Sequence, residues 1–331
     1  MKKNPLKLKP AVKDYLWGGS RLRDDFHYEV EISPFAEAWV CSTHPDGSSL
    51  VISNDRKENQ YETLANVIKK HPEYLGSHAR SIANGEMPIL IKLIDANKDL
   101  SIQVHPDDEY ASRMENSLGK TEMWYVLDAQ EDAKLVYGFN RDVNKTEIKA
   151  KIDKGGIINV LNYVSIKKDD IFLIEPGTVH AICAGTLIAE IQENSNITYR
   201  LYDYDRIDKN GMKRQLHLDK ALEVANFKSS KTPRRPMRVL KYHKGYAKEL
   251  LSRCKYFQVE RMLINTKIID GFIHYKTEIN SFHVFLCLEG SISVFNKDYN
   301  TIMEKGDCVF IPADCDQLLL DGCAQLLDVS C

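Results

Sequence analysis

The chain lacks any apolar run approaching the ~18 residues that cross a bilayer, so no helical membrane span is expected. The opening Met1-Lys2-Lys3-Asn4-Pro5-Leu6 lacks the apolar centre of a secretory leader, which makes the cytoplasm the default expectation. Neither sign of charge dominates. The 45 Lys and Arg against 47 Asp and Glu leave a net charge of −2, so there is no electrostatic case for nucleic acid or an acidic membrane as partner. There is no Gly-x-Gly-x-x-Gly and no Walker-type loop, hence no fingerprint of a dinucleotide or nucleoside triphosphate. Cys-x-x-Cys pairs are also missing. Eight cysteines occur, five of them from Cys287 onward, and in an unexported chain they are expected to be free thiols.

What is present suits a soluble globular protein. With 331 residues, 43% hydrophobic and 28% charged, the chain can bury one large core or two ordinary ones. Most segments read as strands, giving a mainly β protein with some helices. Tyr61, Leu64, Val67 and Ile68 form an apolar stripe on a helix that Pro72 ends, and residues 145–163 and 217–227 also read as helical. Residues 126–137 read as a hairpin. Ser195 to Asp205, dense in tyrosine and charge, reads as an edge strand. The Pro-bearing stretch 228–236 has no periodicity and is the best linker, dividing the chain into 1–232 and 233–331.

The stretch richest in chemistry is Ser101-Ile102-Gln103-Val104-His105-Pro106-Asp107-Asp108. On a strand Gln103 and His105 share a face, since residues two apart point the same way. Pro106 ends the strand, and Asp107 or Asp108 suits the cap of a helix running to Glu115. Glu122, in Gly119-Lys120-Thr121-Glu122-Met123-Trp124-Tyr125, and His180, in Pro176-Gly177-Thr178-Val179-His180, enter later strands. Alone, each of these is an ordinary strand or loop residue. Together, two neutral imidazoles, one carboxylate and an amide suit a borderline divalent cation. A +2 ion with one carboxylate keeps positive charge for an anionic intermediate and leaves a position for water or substrate.

The order Gln-x-His, then Glu, then Pro-Gly-x-x-His resembles a cupin metal site. The wording around it, with Thr198-Tyr199-Arg200-Leu201-Tyr202-Asp203, resembles the type I mannose-6-phosphate isomerase family in its short bacterial form. The likeness runs from Trp17-Gly18-Gly19 to about Asn226 and more weakly to the C-terminus. It implies two cupin-like β-barrel (jelly-roll) units, with helices packed on the first and the Trp17 loop near the site. It implies one Zn²⁺ per chain held by His105, Glu122, His180 and Gln103, and a sugar phosphate as partner, in a monomer or weak homodimer. The activity implied is interconversion of mannose 6-phosphate and fructose 6-phosphate through an enediol. Arg200 and Lys120 match catalytic positions, and Ser101, Lys120 and Arg200 match substrate-binding ones. One residue departs from the pattern: Asn196 stands where many relatives carry Asp.

An internal echo links Lys168-Asp169-Asp170-Ile171-Phe172-Leu173-Ile174 to Lys305-Gly306-Asp307-Cys308-Val309-Phe310-Ile311. Aligned on Asp170 and Asp307, it puts Gln317 in the place of His180, so the second unit is expected to bind no metal. His274 and His283 are expected to serve packing, and His44, His71 and His78 to be solvated. Two other functions fit the motifs less fully. One is a different metal cupin enzyme, acting on another phosphorylated sugar or, with iron, on oxygen. The other is a non-catalytic sugar-binding cupin, which the change at Asn196 favours.

Overall fold

A computed structural model describes residues 3–52, 61–207, 211–230 and 239–331. The expected chain division at 232/233, with Pro233 and Pro236, lies outside the described residues. The protein is mainly β, as its alternating pattern predicts. In one six-stranded sheet the strand order is Ile171–Ile174, Glu122–Ala129, Thr186–Glu193, Ile89–Ala96, Glu37–Cys41, Ala11–Lys13. In a five-stranded sheet it is Leu161–Ser165, Lys134–Phe139, His180–Ile182, Ile102–Val104, Tyr199–Tyr202.

Side-chain alternation explains how these sheets stack. From the six-stranded sheet, Trp124, Val126, Ile188 and Ile94 meet Leu135, Tyr137 and Ile182 of the five-stranded sheet in one buried cluster. The intervening residues Met123, Tyr125, Ile91 and Leu93 point the other way, against Leu286, Phe310 and Leu327 of the C-terminal strands. The outer face of the five-stranded sheet is closed by Ile148, Ala221 and Leu222 from two helices. The six-stranded sheet is thus covered on both faces, and its central strands Ile89–Ala96 and Thr186–Glu193 are buried at every position.

The C-terminal strands form a sheet with a core of their own, including Met262, Phe285, Leu318 and Leu326. The start of the chain is built into that sheet. Leu6–Lys9 pairs with Cys308–Ile311 on one side and with Leu50–Ile52 on the other.

Several sequence expectations change. The segments around 126–137 do not form a hairpin. Glu122–Ala129 and Lys134–Phe139 belong to different sheets, and the turn between them, with Asp132 at φ 60°, carries the chain across the sandwich. Alternation shows that a strand has one buried face, not which partner lies beside it. The helix expected from Tyr61 onward begins at Leu64, where Thr63 accepts a hydrogen bond from the Asn66 amide, so Tyr61 falls outside the stripe and is 48% exposed. The helix expected over 145–163 ends at Asp153 before Gly155, whose φ of 68° suits glycine, and a strand begins at Leu161. Asp107 caps the helix Asp108–Glu115, accepting from the Tyr110 amide at 2.8 Å, and Tyr199–Tyr202 is an edge strand, both as expected. All eight cysteines are unpaired.

A buried carboxyl ties this packing to pH. Glu193 Oε1 accepts from the Thr121 amide at 2.6 Å, while Oε2 is buried without a partner. Burial, with some help from the charge of Asp108, pushes its pKa from 4.5 up to about 8. The folded protein therefore keeps a proton that the unfolded chain loses, and this contribution, full below pH ~4.5, fades as pH rises toward ~8. Glu193→Gln cannot ionise. Urea denaturation at about pH 5 and about pH 8 should show wild type losing stability relative to the variant as pH rises. Parallel pH dependence in the two proteins would contradict the burial argument.

Candidate metal centre

The two sheets bring the three sequence-distant groups together. His105 follows the Ile102–Val104 strand, held where the Gly177 amide donates to its carbonyl at 2.9 Å. His180 begins its strand directly opposite Gln103. Glu122 begins a strand of the facing sheet, opposite Ile174 and Gln192. His105 Nε2 lies 3.5 Å from Glu122 Oε2, and His180 Nε2 lies 3.3 Å from Glu122 Oε1. One ligand atom from each residue lies within 4.8 Å of the others, and all three side chains are buried.

The outer partners fix which nitrogens face inward. His105 Nδ1 is 2.8 Å from the Ile197 carbonyl, and His180 Nδ1 is 2.8 Å from the Thr178 carbonyl. A carbonyl only accepts, so each Nδ1 carries the hydrogen and each Nε2 presents a lone pair. Burial, reinforced by the Lys120 charge, pushes the His105 pKa down to about 3, and burial lowers that of His180. Both rings are neutral in the physiological range. Burial would raise the Glu122 carboxyl, but the adjacent Lys120 charge outweighs it and holds it well below the usual carboxylate range. Both carboxylate oxygens are buried without an aligned hydrogen bond.

Two lone pairs and an ionised carboxylate thus converge with few protein donors among them. The arrangement fits a divalent cation, with carbonyls orienting the imidazoles as outer partners do at metal centres.

The other expected site residues surround this cluster. Lys120, 4% exposed, places Nζ 3.0 Å from Glu122 Oε2 and 3.2 Å from His105 Nε2. Gln103 Nε2 is 3.4 Å from His180 Nε2, and Ser101 Oγ donates to Gln103 Oε1 at 3.3 Å. Arg200 is opposite Gln103 in the sheet, and Gln103 is opposite His180. Directly paired residues project to the same face, so Arg200 shares the face of Gln103 and His180. Its guanidinium Nε is buried and unpartnered. Burial and the Arg214 charge lower its pKa.

Sequence reasoning missed a second row of charge. Lys92, Glu37 and Glu190 are buried in the six-stranded sheet, with Lys92 Nζ 3.4 Å from Glu190 and 3.7 Å from Glu37. Trp124 donates to Glu190 at 2.9 Å and Trp39 to Glu37 at 2.6 Å. Burial opposes the charge on Lys92, but the two carboxylates win and raise its pKa. Burial, then the Glu122 charge, raises that of Glu190. A charge inside each apolar run was the available signal.

The Trp17 loop reaches this region. A Cβ on Gly18 would lie 2.6 Å from Ala36 Cα, so the chain can pass that close only without a side chain. Tyr15 just before it feels the charges of Glu37, Lys92 and Arg200. Asn196, the residue that departs from the family pattern, donates to Asp46 at 2.8 Å. A carboxylate therefore stands beside the position, supplied by the turn after His44. That histidine is half-buried and edge-on to Trp39, not solvated as expected. His71 is also partly covered, stacked on Tyr74, whereas His78 is exposed.

Glu122→Gln keeps the shape of this centre and removes its only negative ligand charge. Divalent-metal affinity, measured by competition with a chromophoric chelator, should fall by more than the ~10–100-fold typical of losing an outer partner. Unchanged affinity in the folded variant would exclude Glu122 as a ligand.

The chain is similar to known proteins along almost its whole length. Residues 6–150 match the family described as phosphomannose isomerase type I, catalytic domain. The chain is 37% identical to the probable mannose-6-phosphate isomerase GmuF of Bacillus subtilis strain 168, across 98% of each chain. It is 35% identical to the mannose-6-phosphate isomerase ManA of the same organism, across 99% of each. The crystal structure of a B. subtilis mannose 6-phosphate isomerase superposes with a TM-score of 0.87 at 34% identity, over 99% of each chain. With its centre assembled from the motifs that carried the resemblance, the chain belongs to the type I mannose-6-phosphate isomerase family.

Proposed function

We propose that this protein interconverts mannose 6-phosphate and fructose 6-phosphate at the centre formed by His105, Glu122 and His180, with Gln103 as a fourth ligand and zinc as the ion. The observation that carries the reading is the convergence of three distant ligand atoms within 4.8 Å, on a face shared with Arg200. An aldose–ketose shift takes a proton from carbon 2 and returns one to carbon 1, which requires a group able to act as base and then acid. A bound redox-inactive cation supplies positive charge for the sugar oxygens as the enediol forms.

The remaining roles fall to this chain's own side chains. Lys120 is the proton carrier. Its burial against the ligand atoms suits a role at the reacting carbons better than a clamp at the mouth. Arg200 is only partly buried, with one donor unpartnered, and holds the anionic part of the sugar phosphate with a charge that no ordinary pH removes. Ser101 donates to Gln103 Oε1, the atom that would ligate the ion, and offers its hydroxyl to the substrate. Tyr15, which feels the charges of Glu37, Lys92 and Arg200, brings the Trp17 loop beside the substrate's anionic end. Eight unpaired cysteines suit a reducing compartment, and we place the enzyme in the cytoplasm.

The test is fructose 6-phosphate formation from mannose 6-phosphate, before and after chelation. Turnover should vanish with the chelator and return with zinc. Arg200→Ala should lower kcat/KM by about 10²–10³-fold. Full turnover in chelated protein, or none in metal-loaded protein, would refute the reading.

A further inference from the structure

The strand that carries Arg200 is irregular, and the irregularity places charge. Arg200 is opposite Gln103 while Tyr202 is opposite Ile102, so Leu201 is an extra residue, a bulge. Leu201 and Tyr202 accordingly both pack outward, in the cluster that holds Ile102 and Val104. Alternation resumes one residue late, which turns Asp203 onto the inner face with Arg200, Gln103 and Ser101. Along that face the step from Gln103 to Ser101, about 6.6 Å, leads away from His105.

Asp203 is buried, and its carboxylate holds two further arginines. Arg214 donates to it through Nε at 2.7 Å and through one terminal nitrogen, and Arg206 donates through a terminal nitrogen. Arg206 is also tied to the carbonyls of Asp203 and Asp99. The segment bearing Arg214 then returns beside the strand. There the His217 amide donates to the Arg200 carbonyl at 2.9 Å, and the Arg200 amide to His217 Nδ1 at 3.3 Å. Arg214 thus lies near enough for its charge, after burial, to lower the pKa of Arg200.

Charge in this corner does not balance. Among the described residues, Asp203 is the only carboxylate paired with Arg200, Arg206 or Arg214, so one negative charge answers three positive ones. Other carboxylates close by are committed elsewhere: Asp99 Oδ1 accepts from the Ala184 amide at 2.7 Å, and Asp205 pairs with Lys213 at 2.6 Å. Arg200 Nε remains buried without a partner. A buried donor calls for an acceptor, and gathered guanidiniums call for an anion. A phosphate monoester, with a charge of about −1.5 to −2 at neutral pH and three acceptor oxygens, answers both demands.

We propose that Arg214, oriented by Asp203, is the second arm of a phosphate clamp with Arg200, and that it sets the preference of this chain for a phosphorylated sugar. The identity of the sugar rests on the isomerase reading; the clamp rests on the arginines. Anchoring the loop is already the work of Arg206, through two carbonyls. Arg214 is bonded to the Asp203 carboxylate through Nε and one terminal nitrogen, which leaves the other terminal nitrogen for the phosphate.

Arg214→Gln in the full chain tests this in two arms. In metal-loaded protein, KM for mannose 6-phosphate should rise about tenfold or more, by a larger factor than kcat falls, with divalent-metal affinity unchanged. In chelated protein, calorimetry should show mannose 6-phosphate bound about tenfold or more weakly than by wild type. Arg214→Lys keeps the charge but cannot bridge Asp203 and a phosphate together, and should lose about threefold or more in the same titration. Unchanged KM and unchanged mannose 6-phosphate affinity in the folded variants would overturn the proposal. So would a matching loss of metal affinity, which marks a merely structural role. Selective loss of mannose 6-phosphate binding beside a wild type that turns nothing over would refute the isomerase reading and uphold the clamp.

Discussion

A carboxylate fully withdrawn from water, facing the lone pairs of two neutral imidazoles, is the constraint around which this protein is arranged. Taking an ion out of water costs on the order of several kcal/mol even after relaxation, unless charge and hydrogen bonds replace the solvent. Glu122 has Lys120 beside it but no aligned hydrogen bond to either oxygen. A local pair of strands could not hold such a group. Here the carboxylate comes from one sheet and the imidazoles from the facing one, and each ring is pinned from behind by a backbone carbonyl. The opposed groups are held at distances that a cation can bridge.

The layering follows from the same demand. The six-stranded sheet presents Trp124, Ile188 and Ile94 to the sandwich interior, while Glu122, Glu190 and Lys92 are the next inward-facing residues along those strands. Its opposite face is sealed by the C-terminal strands, which in turn pair with the first strand of the chain. Helices close the far side of the five-stranded sheet. The C-terminal strands repeat the plan with different chemistry: an apolar interior, and at equivalent register a buried Asp328 that orients donors in place of metal ligands.

The cluster of His105, Glu122 and His180 could be anticipated in the sequence because its parts obey strand periodicity. Gln103 and His105 are two apart, Pro106 marks the strand end, and Asp107 announces the helix. The buried row of Glu37, Lys92 and Glu190 was not legible. Each lies in an apolar run whose pattern reports burial, and periodicity gives no account of which charges meet across strands. The false hairpin at 126–137 has the same origin, since a period of two does not distinguish a neighbour in one sheet from a partner across a sandwich. Asp46 was missed because its turn has the composition of any exposed loop, and its approach to Asn196 is long-range. For His283, the strand was evident but the buried carboxylate 45 residues later was not connected to it.

Anomalous X-ray scattering from crystals of the zinc-loaded protein tests the central claim most directly. The account predicts one strong peak per chain at the zinc edge, within bonding distance of Nε2 of His105, Nε2 of His180 and the Glu122 carboxylate. A peak elsewhere, or none between these three groups in protein shown to contain the metal, would contradict it.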